Sequence, residues 1–205
     1  MYRKYFKRVF DFSFAFILMP IFLILCILVG IAIKIEDGGP IFYNGERLGY
    51  KGKLFKMYKF RSMKVNAPDW RLEDGSTFNS NDDPRHTKVG RFLRKTSLDE
   101  VPQILNVIKG EMSFIGPRPD LPEAIKFYSV QEVKKLDIKP GITGYSQAYY
   151  RNSISQTEKF KNDIHYIENI SFQQDLAILC KTIINVALRK NINVDDGIKT
   201  NNEAL

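Results

Sequence analysis

The chain has 205 residues, with 31 lysines and arginines against 23 acidic residues and a formal net charge of +8. Charged residues make up 26% and hydrophobic residues 44% of the chain, which is typical of one water-soluble domain with an ordinary core. Two cysteines are too few for a disulfide-rich secreted fold, and two histidines far apart in the sequence argue against a zinc site. The positive charge fits nucleic acid, an anionic membrane surface or phosphorylated substrates.

The first element is apolar. Between Asp11 and Lys34 lie 22 residues without a charge, enough for a helix roughly 33 Å long, which is close to the hydrocarbon thickness of a bilayer. No small-residue cleavage site follows, so a cleaved secretory signal is disfavoured. Both flanks are basic, so either orientation of a spanning helix would carry a basic cluster across the membrane.

Pro20 lies in the middle of this segment. A proline removes a helical hydrogen bond and bends the chain, so a re-entrant helix broken at Pro20 would keep both flanks on one side. Prolines are also tolerated in ordinary spanning helices, so both topologies stay open. In either case the membrane helix occupies residues 1–38, followed by a polar domain over 39–190 and a polar tail over 191–205.

The remaining elements follow in chain order. Residues 39–63 are rich in aromatic residues and interrupted by glycines, which predicts short strands. A polar loop around Trp70 comes next. Apolar spacing then predicts helices over residues 85–96, 98–109, 122–136, 157–169 and 172–189, with a rigid GPRP loop at 116–119 and a glycine turn at 139–145. The predicted fold class is α/β (α+β): a small helix-rich domain with a small sheet.

The densest concentration of chemistry lies in residues 91–120, where Asp99 and Glu100 are adjacent at a predicted helix start. One interpretation is structural, because Ser97 and Glu100 fit a capping box. The other is catalytic. Adjacent acids raise each other's pKa unless cations neutralise them. A magnesium ion is one such cation, since Mg²⁺ binds one or two carboxylates together with substrate phosphates. An ionised aspartate can also attack phosphorus.

Several further residues are candidates for the same site. Arg118 is fixed between two prolines, Arg151 follows two tyrosines, and Lys59 projects from a predicted strand. Each could hold a phosphate or could simply be solvated or paired elsewhere. Asp175 lies on or near the apolar face of the last predicted helix, where a buried acid needs a partner, so it is a structural ion pair or a site residue. That helix is amphipathic and suits a membrane interface.

Several ordered motifs together resemble the small monotopic phosphoglycosyl transferases, the bacterial sugar transferase family that includes the enzyme initiating N-glycan assembly in Campylobacter. The resemblance spans residues 1 to about 190, and its most specific pieces are KMYKFRSM, RKTSLDEVPQILNVIKGEMSFIGPRP, PGITGYSQA, RNSIS and SFQQDLAIL. Relatives commonly carry Asn-Gly where this chain has Tyr149 and Tyr150, and we expect this loop to bear on sugar choice.

The resemblance implies transfer of a sugar-1-phosphate from a UDP-sugar to polyprenyl (undecaprenyl) phosphate, with release of UMP, on the cytoplasmic face of the bacterial inner membrane. It implies that the membrane helix over residues 1–38 is re-entrant and broken at Pro20, and that the domain over 39–190 is cytosolic and catalytic. In that domain it implies that Asp99 is the nucleophile and that Glu100 assists with Mg²⁺. It also implies that four basic residues surround the phosphates or the acid pair: Lys59, Arg94, Arg118 and Arg151. It implies that Asp175 is a further acid of the site.

Two other functions remain open from the sequence. The chain would be a membrane-anchored binding or scaffold protein if the acid pair were only a helix cap. Nucleic-acid binding is disfavoured, because the basic residues are spread through the chain and no nucleic-acid-binding motif is recognised.

Overall fold

The computed structural model describes residues 1–70, 80, 83–150 and 154–188. The predicted tail over 191–205 and Arg151 lie outside these residues. After a π-helical turn at Tyr2–Phe6, the described α-helices are α1 (Lys7–Asp37), α2 (Lys88–Thr96), α3 (Ile104–Lys109), α4 (Tyr145–Tyr149), α5 (Gln156–Glu168) and α6 (Phe172–Ala187). The strands are β1 (Phe42–Leu48), β2 (Leu54–Phe60), β3 (Ser113–Ile115) and β4 (Gly141–Thr143). Short 3₁₀ segments lie at Tyr50–Gly52, Leu98–Gln103, Pro122–Phe127 and Glu132–Asp137. The predicted helix-rich α/β fold with little sheet is confirmed.

The strands form two separate pairs. β1 and β2 fall within residues 39–63, where short strands were predicted, and they form an antiparallel hairpin with a register from Phe42 opposite Phe60 to Leu48 opposite Leu54. β3 and β4 pair in parallel, although the sequence predicted only a turn at residues 139–145. This second pair depends on close backbone contact, because a Cβ at Gly141 would lie 2.1 Å from the Gly116 nitrogen. Glycine is therefore required where β4 meets the GPRP loop.

Helix α1 continues without interruption through Pro20, which differs from the predicted break. A proline removes only one backbone N–H, and the remaining hydrogen bonds on either side can maintain the helix. The helix ends at Gly38, whose backbone adopts the left-handed conformation and donates to the Lys34 carbonyl. Its length and mean hydropathy are sufficient to cross a membrane, and only 22% of its most apolar window is buried within the protein.

Both ends of α1 are attached to the same folded domain. Near its start, Asp11 accepts a hydrogen bond from the Phe114 backbone at 3.0 Å, and Arg8 donates to the last carbonyls of α3. At its end, Glu36 accepts from the first backbone N–H groups of α2, and Asp37 pairs with Arg61. The domain therefore contacts α1 at both of its ends.

The middle of α1 belongs to the core. Ala15 and Phe22 are buried in one cluster with Met57 of β2 and Ile104 of α3. Further along, Ile33 is buried in a second cluster that also contains Phe60 and Leu93. The opposite side of the helix exposes large apolar residues, among them Phe16, Ile24 and Leu28.

Helix α6 turns much of its apolar face outward. Asp175 is buried, whereas Phe172, Leu176 and Ile183 are about half exposed. The ring of Phe172 lies 5.6 Å from that of Phe10, so the exposed apolar faces of α6 and α1 are continuous. This inversion is the opposite of a soluble surface helix and is typical of a face that meets lipid.

The predicted helix over residues 122–136 is wrong. Two short 3₁₀ segments, Pro122–Phe127 and Glu132–Asp137, replace it. A buried charge cluster explains the difference. The Lys135 Nζ lies 2.7 Å from Asp120 and 3.0 Å from Asp163, and Tyr128 also donates to Asp120. These contacts hold the chain against the domain in place of regular helical hydrogen bonds.

We expect Lys135→Met to destabilise the protein by about 3–5 kcal/mol, because it leaves two carboxylates inside the domain without their cation. The measurement is thermal and urea unfolding in detergent. The matched control is Lys134→Met, since Lys134 is exposed one residue away and its replacement should cost no more than about 0.5 kcal/mol. Equal effects of the two variants would contradict the structural role given to the buried cluster.

Candidate active site

The acid pair lies in the 3₁₀ segment Leu98–Gln103, directly after α2. Ser97 separates the two elements and adopts the left-handed conformation with φ of 58°. Its side chain makes no capping hydrogen bond to this segment, so the capping box considered from the sequence is not formed. The sharp turn instead buries Asp99 and directs Glu100 toward two cations.

Those cations come from separate parts of the chain. The Lys59 Nζ on β2 lies 2.6 Å from the Glu100 Oε1 and 3.9 Å from the Asp99 Oδ2. The Arg118 Nη2, from the GPRP loop after β3, lies 2.9 Å from the same Glu100 oxygen. Glu100 is thus bound by both cations, whereas Asp99 lies beside Lys59 at a distance too long for a hydrogen bond.

The two carboxyl groups differ in their affinity for protons. Burial raises the pKa of the Asp99 carboxyl, and although Lys59 opposes this effect, the net pKa lies above the usual range. Burial acts on Glu100 in the same direction, but the charges of Arg118 and Lys59 outweigh it and hold the pKa of Glu100 well below its usual range. Glu100 is therefore firmly ionised, and Asp99 is the acid whose charge depends on its surroundings.

The side chain of Arg118 remains about half exposed while it holds Glu100. An arginine has five donors, so such a group can contact an incoming anion without releasing its carboxylate. Arg94, in the last turn of α2, acts on the pair through its charge, which lowers the pKa of Asp99. The structure thus brings Lys59, Arg94 and Arg118 to the acid pair.

Asp175 has different partners. Its carboxylate accepts from Tyr2 at 2.8 Å, Lys7 at 2.5 Å and Tyr166 at 2.7 Å. These contacts join the start of α1 to α5 and α6, as expected for the structural ion pair that the sequence left open. Pro20 lies within α1, as described above.

Sequence reasoning missed the residues that hold the cations in place. Asn106 of α3 is fully buried, and its side chain accepts from the Tyr58 backbone at 3.0 Å and donates to the Lys56 carbonyl at 2.8 Å. It therefore fixes β2 next to Lys59. The helical pattern gave no signal for Asn106, because it lies on the opposite side from the apolar positions of the predicted helix.

The loop that carries Arg118 is held in a similar way. Asp120, two residues beyond Arg118, joins the cluster of Lys135, and its carbonyl accepts from the Leu48 backbone at 2.9 Å. On the other side, Gly116 contacts the backbone of β4. No local sequence signal predicted these contacts, because they join segments that are distant in the chain.

Among the described residues, no group of three or more histidine, cysteine, aspartate or glutamate side chains is placed to hold a metal ion. Mg²⁺ requires fewer protein ligands, since it commonly binds one or two carboxylates together with substrate phosphates and water. Asp99 and Glu100 supply oxygen ligands of this kind, so the residues present fit a magnesium ion that is completed by the substrate.

Carboxylates with adjacent cations in a partly closed site are typical of enzymes that transfer phosphoryl groups. Comparison with known proteins agrees. A profile of the bacterial sugar transferase family matches residues 2–189. The uncharacterized sugar transferase EpsL of Bacillus subtilis is 39% identical over 186 residues, which cover 91% of this chain and 89% of the relative.

Two longer relatives carry more specific names. The undecaprenyl-phosphate galactose phosphotransferase of Salmonella typhimurium is 39% identical over 199 residues, 92% of this chain and 41% of the relative. The UDP-N-acetylgalactosamine-undecaprenyl-phosphate N-acetylgalactosaminephosphotransferase of Aeromonas hydrophila is 36% identical over 187 residues, 86% of this chain and 42% of the relative. The chain belongs to the bacterial sugar transferase family. It is a transferase, so the scaffold alternative is not supported.

The opposite pKa directions of the two acids predict opposite effects of neutralising them. Because the pKa of Asp99 is raised in the folded state, its ionised form destabilises the fold above the ordinary aspartate pKa. Asp99→Asn should therefore unfold at a higher temperature than the parent at pH 7 in metal-free buffer, with the gap closing toward low pH. Calorimetry or tryptophan fluorescence measures the midpoint.

Glu100→Gln is the matched control, and it should have the opposite sign. The pKa of Glu100 is lowered, so its ionised form stabilises the fold at neutral pH and loses this effect only as pH falls through the lowered value. A shift of both variants in the same direction at pH 7 would contradict the unequal charge states assigned to the pair.

Proposed function

We propose that this enzyme transfers a sugar-1-phosphate from a UDP-sugar to polyprenyl phosphate, giving a polyprenyl-diphosphate-sugar and UMP. The observation that carries the proposal is the unequal acid pair. Lys59 and Arg118 bind Glu100, while Asp99 lies next to Lys59 without being bound tightly to it. The names of two relatives contain the same acceptor, undecaprenyl phosphate, and one of them contains a UDP-sugar donor.

In the first step, an ionised Asp99 oxygen attacks the phosphorus atom that carries the sugar. A new carboxyl–phosphorus bond forms, and the bond from that phosphorus to the bridging oxygen breaks. UMP leaves with the bridging oxygen and both electrons of the bond. A covalent intermediate of this kind divides one difficult transfer into two easier ones.

In the second step, a phosphate oxygen of the polyprenyl phosphate attacks the same phosphorus atom. Asp99 leaves as a free carboxylate, and the product carries a new diphosphate linkage between lipid and sugar. The two substrates can therefore occupy the site in turn. This order suits a soluble donor and an acceptor whose phosphate remains at the membrane surface.

The neighbouring residues supply charge and orientation. Lys59 lies close enough to favour the ionised form of Asp99, whose burial otherwise favours protonation. The exposed part of Arg118 is available to the donor diphosphate, and Arg94 adds positive charge. Asp99 and Glu100 would hold Mg²⁺, which offsets the negative charge of the diphosphate when it is bound. Arg151, outside the described residues, remains a proposed phosphate ligand by resemblance.

We further propose that the enzyme is monotopic and lies on the cytoplasmic face of the inner membrane. A helix of 31 residues is about 46 Å long, so a transmembrane α1 would place its two ends on opposite sides of the bilayer. One folded domain contacts both ends and the middle, which supports a helix that enters and leaves on one side. Although the helix continues through Pro20, this residue removes one helical hydrogen bond near the middle, so we propose that any bend lies there without breaking the helix. Basic residues on both flanks favour the anionic cytoplasmic leaflet.

The chemical class of the product indicates at which step of a biosynthetic sequence the reaction occurs. A polyprenyl-diphosphate-sugar is a lipid-linked starting point to which further sugars can be added, so the reaction would be the first membrane step in making a glycan, capsule, O-antigen or exopolysaccharide. The exposed Tyr149 and Tyr150 precede Arg151, and we propose that they bear on which sugar is accepted.

The central test measures UMP release from a panel of UDP-sugars with polyprenyl phosphate as acceptor. The parent enzyme should release UMP with at least one donor, EDTA should abolish release, and Asp99→Asn should reduce it at least 10³-fold, roughly the size of effect expected for a lost nucleophile. Mass spectrometry after mixing with the donor alone should detect a phosphosugar adduct on Asp99. Turnover by Asp99→Asn close to that of the parent would refute the mechanism.

The topology is tested by cysteine labelling in a background without Cys26 and Cys180. Arg3→Cys marks the start of α1, and Val65→Cys marks its end, because Val65 lies against Gly39. An impermeant thiol reagent should label both sites in inverted inner-membrane vesicles and neither in spheroplasts. Labelling of the two sites from opposite faces would restore the spanning helix and refute the monotopic topology.

A further inference from the structure

A face of strand β1 next to the active site has no role in the mechanism above. In the hairpin, Tyr43 pairs with Lys59, Gly45 with Met57 and Arg47 with Phe55. Directly opposed residues of an antiparallel pair project from the same face of a sheet. Tyr43, Gly45 and Arg47 therefore project from the face on which Lys59 reaches the acid pair.

The side chains on either side of Gly45 converge over it. A Cβ at Gly45 would lie 3.2 Å from the Tyr43 Cε1 and 3.2 Å from the Arg47 Nη1. The guanidinium is held in this position by a 2.7 Å hydrogen bond from Nη1 to the Glu46 carbonyl. More than half of the Tyr43 side chain is exposed, at 56%. Gly45 itself is buried beneath them, so the surface here consists of a phenol ring and a guanidinium plane.

These groups have the chemistry that binds a nucleoside. Aromatic rings and arginine planes stack on nucleobases, and a guanidinium also binds phosphate oxygens in pairs. Gly45, which has no side chain, lets the Tyr43 ring and the Arg47 guanidinium lie close to the strand and to each other. An apolar side chain at position 47 could not bind the phosphates of a nucleotide, and a carboxylate there would repel them.

The position along the strand is also suitable. Tyr43 lies opposite Lys59, and Arg47 lies four residues further along β1, at a distance of about 13 Å. A donor whose diphosphate is bound at Lys59 and Arg118 would therefore extend its nucleoside along this strand, away from the acid pair.

We propose that Tyr43 and Arg47, separated by Gly45, form the subsite for the uridine part of the donor. This subsite rests on the proposed function, because it presupposes a nucleotide donor at the acid pair. The strand face would hold the leaving nucleotide, while the acceptor lipid phosphate binds elsewhere in the site.

The test uses two changes that act on the subsite in different ways. Tyr43→Ala removes the stacking ring, and Gly45→Leu places a side chain where the Tyr43 ring and the Arg47 guanidinium now converge, so it should displace both. Gly45 does not require positive φ, and a Cβ there meets only the flexible ends of neighbouring side chains, so the strand should tolerate the substitution. Tyr43→Phe retains the ring, and Glu46→Ala changes the other face of the same strand.

Dissociation constants for UMP are measured by calorimetry with the full chain in lipid nanodiscs, and Michaelis constants are measured for donor and acceptor. Tyr43→Ala and Gly45→Leu should weaken UMP binding and raise the donor KM by about tenfold, as expected for one lost base-stacking contact. The acceptor KM should stay within about twofold. Glu46→Ala should match the parent, and Tyr43→Phe should bind UMP more tightly than Tyr43→Ala, because it keeps the ring.

The outcomes separate this inference from the proposed function. If the parent releases UMP but Tyr43→Ala and Gly45→Leu bind UMP as the parent does, the subsite is wrong and the transfer reaction stands. An equal rise in donor and acceptor KM would also overturn the subsite, because it would indicate general damage to the site. If the parent neither binds UMP nor releases it from any UDP-sugar, both proposals fail.

Discussion

Two carboxylates next to each other in the chain, enclosed by protein, are the constraint on which this structure depends. Asp99 and Glu100 repel each other and lose hydration, and both effects favour protonation. Lys59 and Arg118 reverse this for Glu100 alone, because both reach the same oxygen of that residue. The two acids thereby become unequal. Glu100 is ionised at neutral pH and binds both cations, whereas Asp99 keeps a raised pKa. Exposed acids would not be differentiated in this way, since water would screen them.

Maintaining this arrangement requires polar groups inside the domain. Asn106 holds the strand of Lys59, and the cluster around Lys135 holds the loop of Arg118 through Asp120. Buried ion pairs are weak sources of stability, because desolvation offsets much of their attraction. Their value here is geometric: each fixes a backbone segment that carries a cation. The glycine contact between the GPRP loop and β4 serves the same purpose by letting two backbones meet without intervening side chains.

The parts of the fold that the sequence predicted are those governed by local patterns. The two strands β1 and β2 followed from aromatic runs between glycines, and α6 followed from apolar spacing. The parallel pair β3–β4 was missed because each strand has three residues and its hydrogen bonds join distant segments. The same applies to the site. Adjacent acids suggested chemistry, but only the fold brings together Glu100 and Lys59, which are 41 positions apart.

Helix α1 is part of the fold that builds the site, and this determines how the site relates to the membrane. Its residues Ala15 and Phe22 share a core cluster with Met57 and Ile104. Met57 lies two positions before Lys59, and Ile104 lies four positions after Glu100, so the packing that holds the helix also holds the acid pair and its cations. An anchor joined by a flexible linker would leave the height of the acid pair above the lipid undefined. Packing a close-fitting core against the anchor fixes that height, because core side chains tolerate only small displacements. An enzyme whose acceptor phosphate remains at the lipid surface needs this fixed height.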